Sequence, residues 1–102
     1  MTTAESFWIN PTINFGIIKR NKTKEFIYQG LPTMPVINKI TAACGCTSAR
    51  FFSDTKQLRV TYKSGEIPKH IKTDSMEVLK FIVIRYQDGT EETLYLKGTK
   101  LR

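Results

Sequence analysis

Residues 78–98 read VLKFIVIRYQDGTEETLYLKG. Two apolar-rich runs flank Asp88-Gly89, a dipeptide that favours a tight hairpin turn because both of its residues tolerate positive φ. With Asp88 and Gly89 as the central pair of a type I′ turn, Gln87 pairs with Thr90, Val83 faces Leu94 and Phe81 faces Leu96. Those four form one apolar face, expected to enter the core, and Arg85 falls opposite Glu92 at its end. The other face carries Ile82, Ile84, Tyr86 and Tyr95 and is too apolar for a sheet surface left in water. It is expected to dock on another subunit, or on the chain's own N-terminal residues Phe7, Trp8 and Ile9. The inverse assignment puts Ile82 and Ile84 inward and leaves Phe81, Val83 and the two leucines in need of cover. One apolar face is left over either way.

Outward from the hairpin, the chain divides into short alternating runs. Residues 57–63 alternate most clearly, with Leu58, Val60 and Tyr62 inward and Arg59, Thr61 and Lys63 outward. Residues 12–18 place Ile13, Phe15 and Ile17 on one side, and Gly16 within that run predicts a bulge. Residues 23–29 offer Phe26 and Tyr28 to the core. Residues 36–43 form a strand whose faces are not cleanly separated, and Pro32 and Pro35 keep the segment before it a loop. The polar, Pro68-containing segment 66–75 predicts a long connection. Trp8, the single tryptophan, either caps the core or docks on a neighbour. The spacing of turns, with no amphipathic helix, predicts an all-β, Ig-like antiparallel β-sandwich of seven or eight strands. Residues 1–11 are an N-terminal arm or edge strand, and residues 12–102 the single sandwich domain.

A length of 102 residues supports one core and not two. No apolar run approaches the roughly 18 to 20 residues that span a bilayer, and residues 1–6 lack the positive and apolar regions of a secretory signal. The expected location is a virion or the cytoplasm. No glycine-rich phosphate loop, metal-binding helix or paired carboxylate appears, so an enzyme, a cofactor and a small-molecule substrate are not expected.

At Cys44-Gly45-Cys46-Thr47 the sequence resembles the uncharacterised bacterial Ig-like domains marked by a Cys-Gly-Cys-Thr signature, related to the major sperm protein and Hydin-type sandwiches. Phe15-Gly16-Ile17-Ile18 is similar to the Phe-Gly-x-Ile element that opens that family. Residues 58–62 match its alternating strand, and Leu94-Tyr95-Leu96-Lys97-Gly98 its closing Leu-x-Leu-x-Gly strand. The turn rich in proline and glycine usual after the cysteine motif is missing here. The resemblance implies a module used for assembly or binding, without catalytic residues. Taken alone, cysteines at i and i+2 fit poorly with a bridge in regular strand geometry. They supply two thiolates, with His70 a third candidate ligand, where a closed zinc site wants four. Reduced, metal-free thiols near a strand end are therefore expected.

The formal charge is +7, which attracts nucleic acid, anionic membrane or acidic protein at long range. Lys19, Arg20, Lys22 and Lys24, then Lys69 and Lys72, then Lys97, Lys100 and Arg102 would converge at one pole of an Ig-like sandwich, opposite Asp88, Glu91 and Glu92. The basic segments hold no interleaved aromatics, so any nucleic-acid contact there is electrostatic and sequence-blind. Three readings follow. The first is a non-enzymatic structural or interaction module, a protein subunit of a larger assembly such as a phage or virus particle. The second is a small basic regulator that binds nucleic acid or an acidic nucleic-acid-processing protein. The third is a thiol or metal protein built on Cys44 and Cys46.

Overall fold

The computed structural model describes residues 6–42 and 45–102. Seven strands are present among them: β1 (Thr12–Lys19), β2 (Thr23–Gln29), β3 (Ile37–Ala42), β4 (Thr47–Phe52), β5 (Gln57–Lys63), β6 (Ser75–Tyr86) and β7 (Glu91–Leu101). They form two sheets, one ordered β1-β7-β6-β3 and one ordered β2-β5-β4. The result is the expected β-sandwich. Five ladders connect the strands, and the one between β1 and β7 is parallel. The chain crosses to the other sheet between β1 and β2, so no hairpin dictates the direction in which β1 lies along β7.

The core forms where alternation is strongest. Leu58, Val60 and Tyr62 of β5 are buried, as is Tyr28 of β2, and they meet Ile82, Ile84, Leu94 and Leu96 of the opposite sheet. Each such side chain, fully buried, contributes about 1.5–3 kcal/mol. β4 has no counterpart among the runs read from the sequence. Its inward residues Thr47, Ala49 and Phe51 are small or followed directly by Phe52, which blurs the period of two.

The hairpin turn differs from the type I′ expectation. The amide of Tyr86 donates to the Thr90 carbonyl at 2.9 Å, and the Gly89 amide donates to the Tyr86 carbonyl at 3.1 Å. Gly89 alone of the turn residues has positive φ, at 90°, which makes a three-residue loop closed by a left-handed glycine. Asp88 holds this longer loop by accepting from the Thr90 amide at 2.9 Å and from its hydroxyl at 2.6 Å. One added residue slips the register: Ile82 faces Leu94, Phe81 faces Tyr95, Ile84 faces Glu92 and Arg85 faces Glu91. A slip of one moves a strand's side chains to the opposite face. In β6 it is therefore Ile82, Ile84 and Tyr86 that enter the core, and Phe81 and Val83 that lie outside, while Leu94 and Leu96 remain inside.

β1 contains the bulge that Gly16 predicts. Asn14 pairs with Lys97 and Ile17 with Thr99, so Phe15 and Gly16 together oppose Gly98. Gly16 takes φ 74°, a conformation glycine adopts without steric cost. This turns Phe15 across Gly98, where a Cβ on residue 98 would stand 2.4 Å from the ring. The ring also contacts Phe26 and Tyr62, each with centroids 5.8 Å away. Gly98→Ala should cost about 1–3 kcal/mol by overpacking. In a Phe15→Ala background, urea unfolding should show that the same substitution costs little. Equal costs in the two backgrounds would refute the fit between ring and glycine.

Residues 6–11 close the end of the sandwich that carries the hairpin turn. Trp8 bridges Gly30, is buried, and donates from Nε1 to the Tyr86 hydroxyl at 3.0 Å. That hydroxyl donates to Glu92 Oε1 at 2.9 Å, and the same oxygen accepts the Phe7 amide at 3.2 Å. Of the segment 1–11, residues 1–5 lie outside the described residues.

Candidate functional site

The hairpin residues expected to meet a partner separate into two groups. Ile82 and Ile84 are fully buried and Tyr86 nearly so, so the register removes them from any outer face. Tyr86 instead meets the N-terminal segment, with Phe7 edge-on at 5.6 Å and Trp8 hydrogen-bonded to its hydroxyl. Trp8 is itself a core residue, and Phe7 is half-buried. Tyr95 is exposed. It pairs across the ladder with Phe81, and Leu79 follows on the same face. Their exposures of 41%, 45% and 60% leave an apolar surface outside the four-stranded sheet, with Val83 half-buried beside it. The left-over face exists: Tyr95 belongs to it as expected, and Phe81 and Val83, which the inverse assignment left uncovered, stand there with Leu79 in place of Ile82, Ile84 and Tyr86.

The basic segments do meet at the opposite end. Lys19 pairs with Leu101 at the ends of β1 and β7, the Asn21 amide donates to Gly65 at 2.8 Å, and the Arg102 amide donates to Asp74 at 2.8 Å. Ser64 is the buried hub, its hydroxyl donating to the Lys19 carbonyl at 2.7 Å and accepting the Lys22 amide at 2.9 Å. Lys19, Arg20, Lys22, Lys24, Lys69 and Lys72 are exposed there. Three of the nine basic residues depart from the expected patch. Lys100 is buried because it shares the inward parity of Leu94, Leu96 and Gly98, and its ammonium donates to the carbonyls of Ser64 at 2.8 Å and Glu66 at 3.2 Å. Burial, with Lys80 nearby, lowers its pKa. The Arg102 guanidinium reaches the carbonyls of Ile71 at 2.5 Å and Thr73 at 3.1 Å, so it fastens the loop before β6. Lys97 lies within the β7 ladder between Leu79 and Asn14, away from the pole.

At the hairpin end the acidic groups are also engaged. Arg85 pairs with Glu91 at 2.5 Å, and Glu92 accepts from the Ser6 hydroxyl, the Phe7 amide and Tyr86. The hydrogen bonds from Thr90 hold the Asp88 carboxyl below its ordinary pKa.

The cysteine motif occupies the connection between β3 and β4. Gly45 and Cys46 are turn residues and Thr47 begins β4, while Cys44 lies outside the described residues. Cys46 is disulfide-bonded, which overturns the expectation of a reduced thiol there. The objection to a bridge rested on regular strand geometry, and Cys46 sits in a turn. His70 is exposed in the β5–β6 connection. Among the described residues no group of three or more His, Cys, Asp or Glu could hold a metal ion, and none forms a helix long and apolar enough to cross a membrane.

A further surface escaped the sequence reading. On the outside of the three-stranded sheet, Arg50 of β4 stands directly opposite Arg59 of β5. Both guanidinium carbons lie over the Phe52 ring, at 5.1 and 4.8 Å from its centroid. The outward parity of Arg59 was legible. Arg50 and Phe52 belong to the strand that was not.

The chain is similar to a crystal structure of a mutant SrpA adhesin from Streptococcus sanguinis, at 13% identity and a TM-score of 0.54. The similarity covers 87% of this chain and 57% of that one. The likeness is one of fold. No family model matches the sequence, and no curated protein matches it.

Proposed function

We propose that this chain is a non-enzymatic Ig-like interaction module, a subunit of a larger assembly of the phage- or virus-particle kind, and that it binds neighbouring protein through the outside of its four-stranded sheet. The observation that carries this is the exposed run of Leu79, Phe81 and Tyr95 on a face that an isolated domain would keep polar. The Cys-Gly-Cys-Thr resemblance, with its implication of assembly or binding, supports the same reading. So does the meeting of two of its motif segments, Phe15-Gly16 and Gly98, in one packed contact. Virion or cytoplasm is the corresponding location.

The test is Phe81→Asp. The substitution is on the outside, so the chain should fold as the parent does. In extracts of cells that make the protein, the parent should migrate in particles that survive molar salt, because apolar docking is not screened. The variant should migrate as a free chain. A parent that is itself free, or particles that dissolve as salt rises, would refute the proposal. The second of those outcomes favours the basic pole and the regulator reading, in which phosphate or acidic protein is the partner.

A further inference from the structure

The arginine pair on the other sheet is a device that the free chain does not explain. Like charges placed directly opposite across a ladder oppose sheet formation, and a strand offers many neutral residues for such a position. Phe52 receives both guanidinium groups on its ring, which offsets part of the repulsion. Stacking uses the flat faces and leaves the N–H edges pointing away from the ring. Among the described residues, neither Arg50 nor Arg59 is in an ion pair. The two line a concavity of about 370 Å³ together with Glu25, Ser48, Phe52 and Thr61.

We propose that this concavity is a binding site for a carboxylate side chain of an acidic peptide segment, held by the forks of Arg50 and Arg59. Two adjacent guanidinium edges match the planar, two-oxygen geometry of a carboxylate. Glu25 decides against an extended polyanion, because Thr61 pairs with both Glu25 and Ser48 in the row next to the arginines. A fixed negative charge there repels a second phosphate along a nucleic-acid strand. Ile27, paired with Arg59 and 42% exposed, supplies apolar surface for the stem of the acidic residue or for its neighbour. The site lies on the sheet opposite Phe81 and Tyr95 and stands independently of the proposal made for that face.

The experiment follows the side-chain Nε–H resonances of Arg50 and Arg59 in the full chain by NMR. The probes are an acetylated, amidated Gly-Glu-Gly peptide, inorganic phosphate and a short oligothymidylate. The peptide should shift both arginine resonances saturably. Arg50→Gln with Arg59→Gln should weaken it about tenfold or more, the loss expected when charge-assisted pairs are removed. Arg59→Lys keeps the charge without the fork and should also weaken it, which guards against a fold lost by the double change. Lys69→Ser with Lys72→Ser should leave the peptide affinity as it was. The proposal fails if the glutamine pair binds the peptide like the parent, if the arginine resonances stay still at millimolar peptide, or if phosphate or oligothymidylate takes the arginines more tightly than the peptide does.

Discussion

Ile84→Asp is expected to leave the chain unfolded. Ile84 is fully buried in the cluster with Trp8, Tyr28, Leu58, Val60 and Leu94. Removing it forfeits roughly 1.5–3 kcal/mol of transfer free energy and leaves a cavity. An aspartate there must lose its hydration or take up a proton, at a further cost of several kcal/mol. Its cross-strand neighbours are Ile40 and Glu92, so it gains no cation and meets a like charge. Together these costs reach the whole stability of an ordinary domain, about 5–15 kcal/mol. Ile84→Val should cost only about 0.5–1.5 kcal/mol. Circular dichroism melts of the two variants beside Phe81→Asp check the face assignment. A cooperative transition in Ile84→Asp together with collapse of Phe81→Asp would show that β6 is turned the other way.

A second large effect is expected on the alkaline side. Tyr28 donates its hydroxyl to the Tyr95 carbonyl at 2.6 Å, and Tyr86 donates to Glu92. Burial pushes both phenols far above their ordinary pKa of 10, with Glu92 adding to the rise at Tyr86, and burial raises Tyr62 as well. The folded pKa values exceed the unfolded ones. The stability held by the neutral phenols is therefore fully present below pH 10 and falls as pH climbs through 10 towards the folded values. Each phenol removes about 1.4 kcal/mol per pH unit in that window. Lys100 acts with the opposite sign, since its lowered pKa makes stability rise with pH up to the unfolded value of 10.5. Above that its contribution is constant and the tyrosines prevail. Urea midpoints should fall steeply beyond pH 10, with tyrosinate absorbance rising in step with unfolding. Tyr86→Phe should flatten the fall. Ionisation of the buried phenols near pH 10 with the fold intact would refute the account.

The sandwich was legible where one face of a strand is apolar and the other is not. Residues 57–63 alternate cleanly, and their burial follows the pattern. The β6 run FIVI is apolar on both faces, so its periodicity cannot choose between them. The choice is made by a turn of three residues in place of two, through the hold of Asp88 on Thr90. The pairing of Trp8 with Tyr86, 78 residues apart, then secures it. No local window contains that information. The approach of residues 19–24 to residues 69–72 was legible from strand connectivity, whereas Lys97, Lys100 and Arg102 of the third basic segment stand outside that patch. The burial of Lys100 follows from the parity that places Leu94 and Leu96 inward, continued to the end of β7. The arginine pair needed the β4 register, and Ala49 and Thr47 are too small to announce a strand.

The parallel ladder between β1 and β7 also sets an order of events in the cell. Ile13 emerges from the ribosome 83 residues ahead of its ladder partner Leu96, while Phe7 waits for Glu92, 85 residues further on. β2, β5 and β4 can assemble during translation, and β3 can pair with β6, but β1 has no partner in its sheet until β7 is released. Pairings this distant in sequence are slow to find and leave apolar strands uncovered meanwhile. A nascent chain stalled before residue 91 would display Ile13, Phe15 and Ile18 without the strand they pair beside. Such a chain is a substrate for chaperones, and a pause between β6 and β7 is the hazardous one.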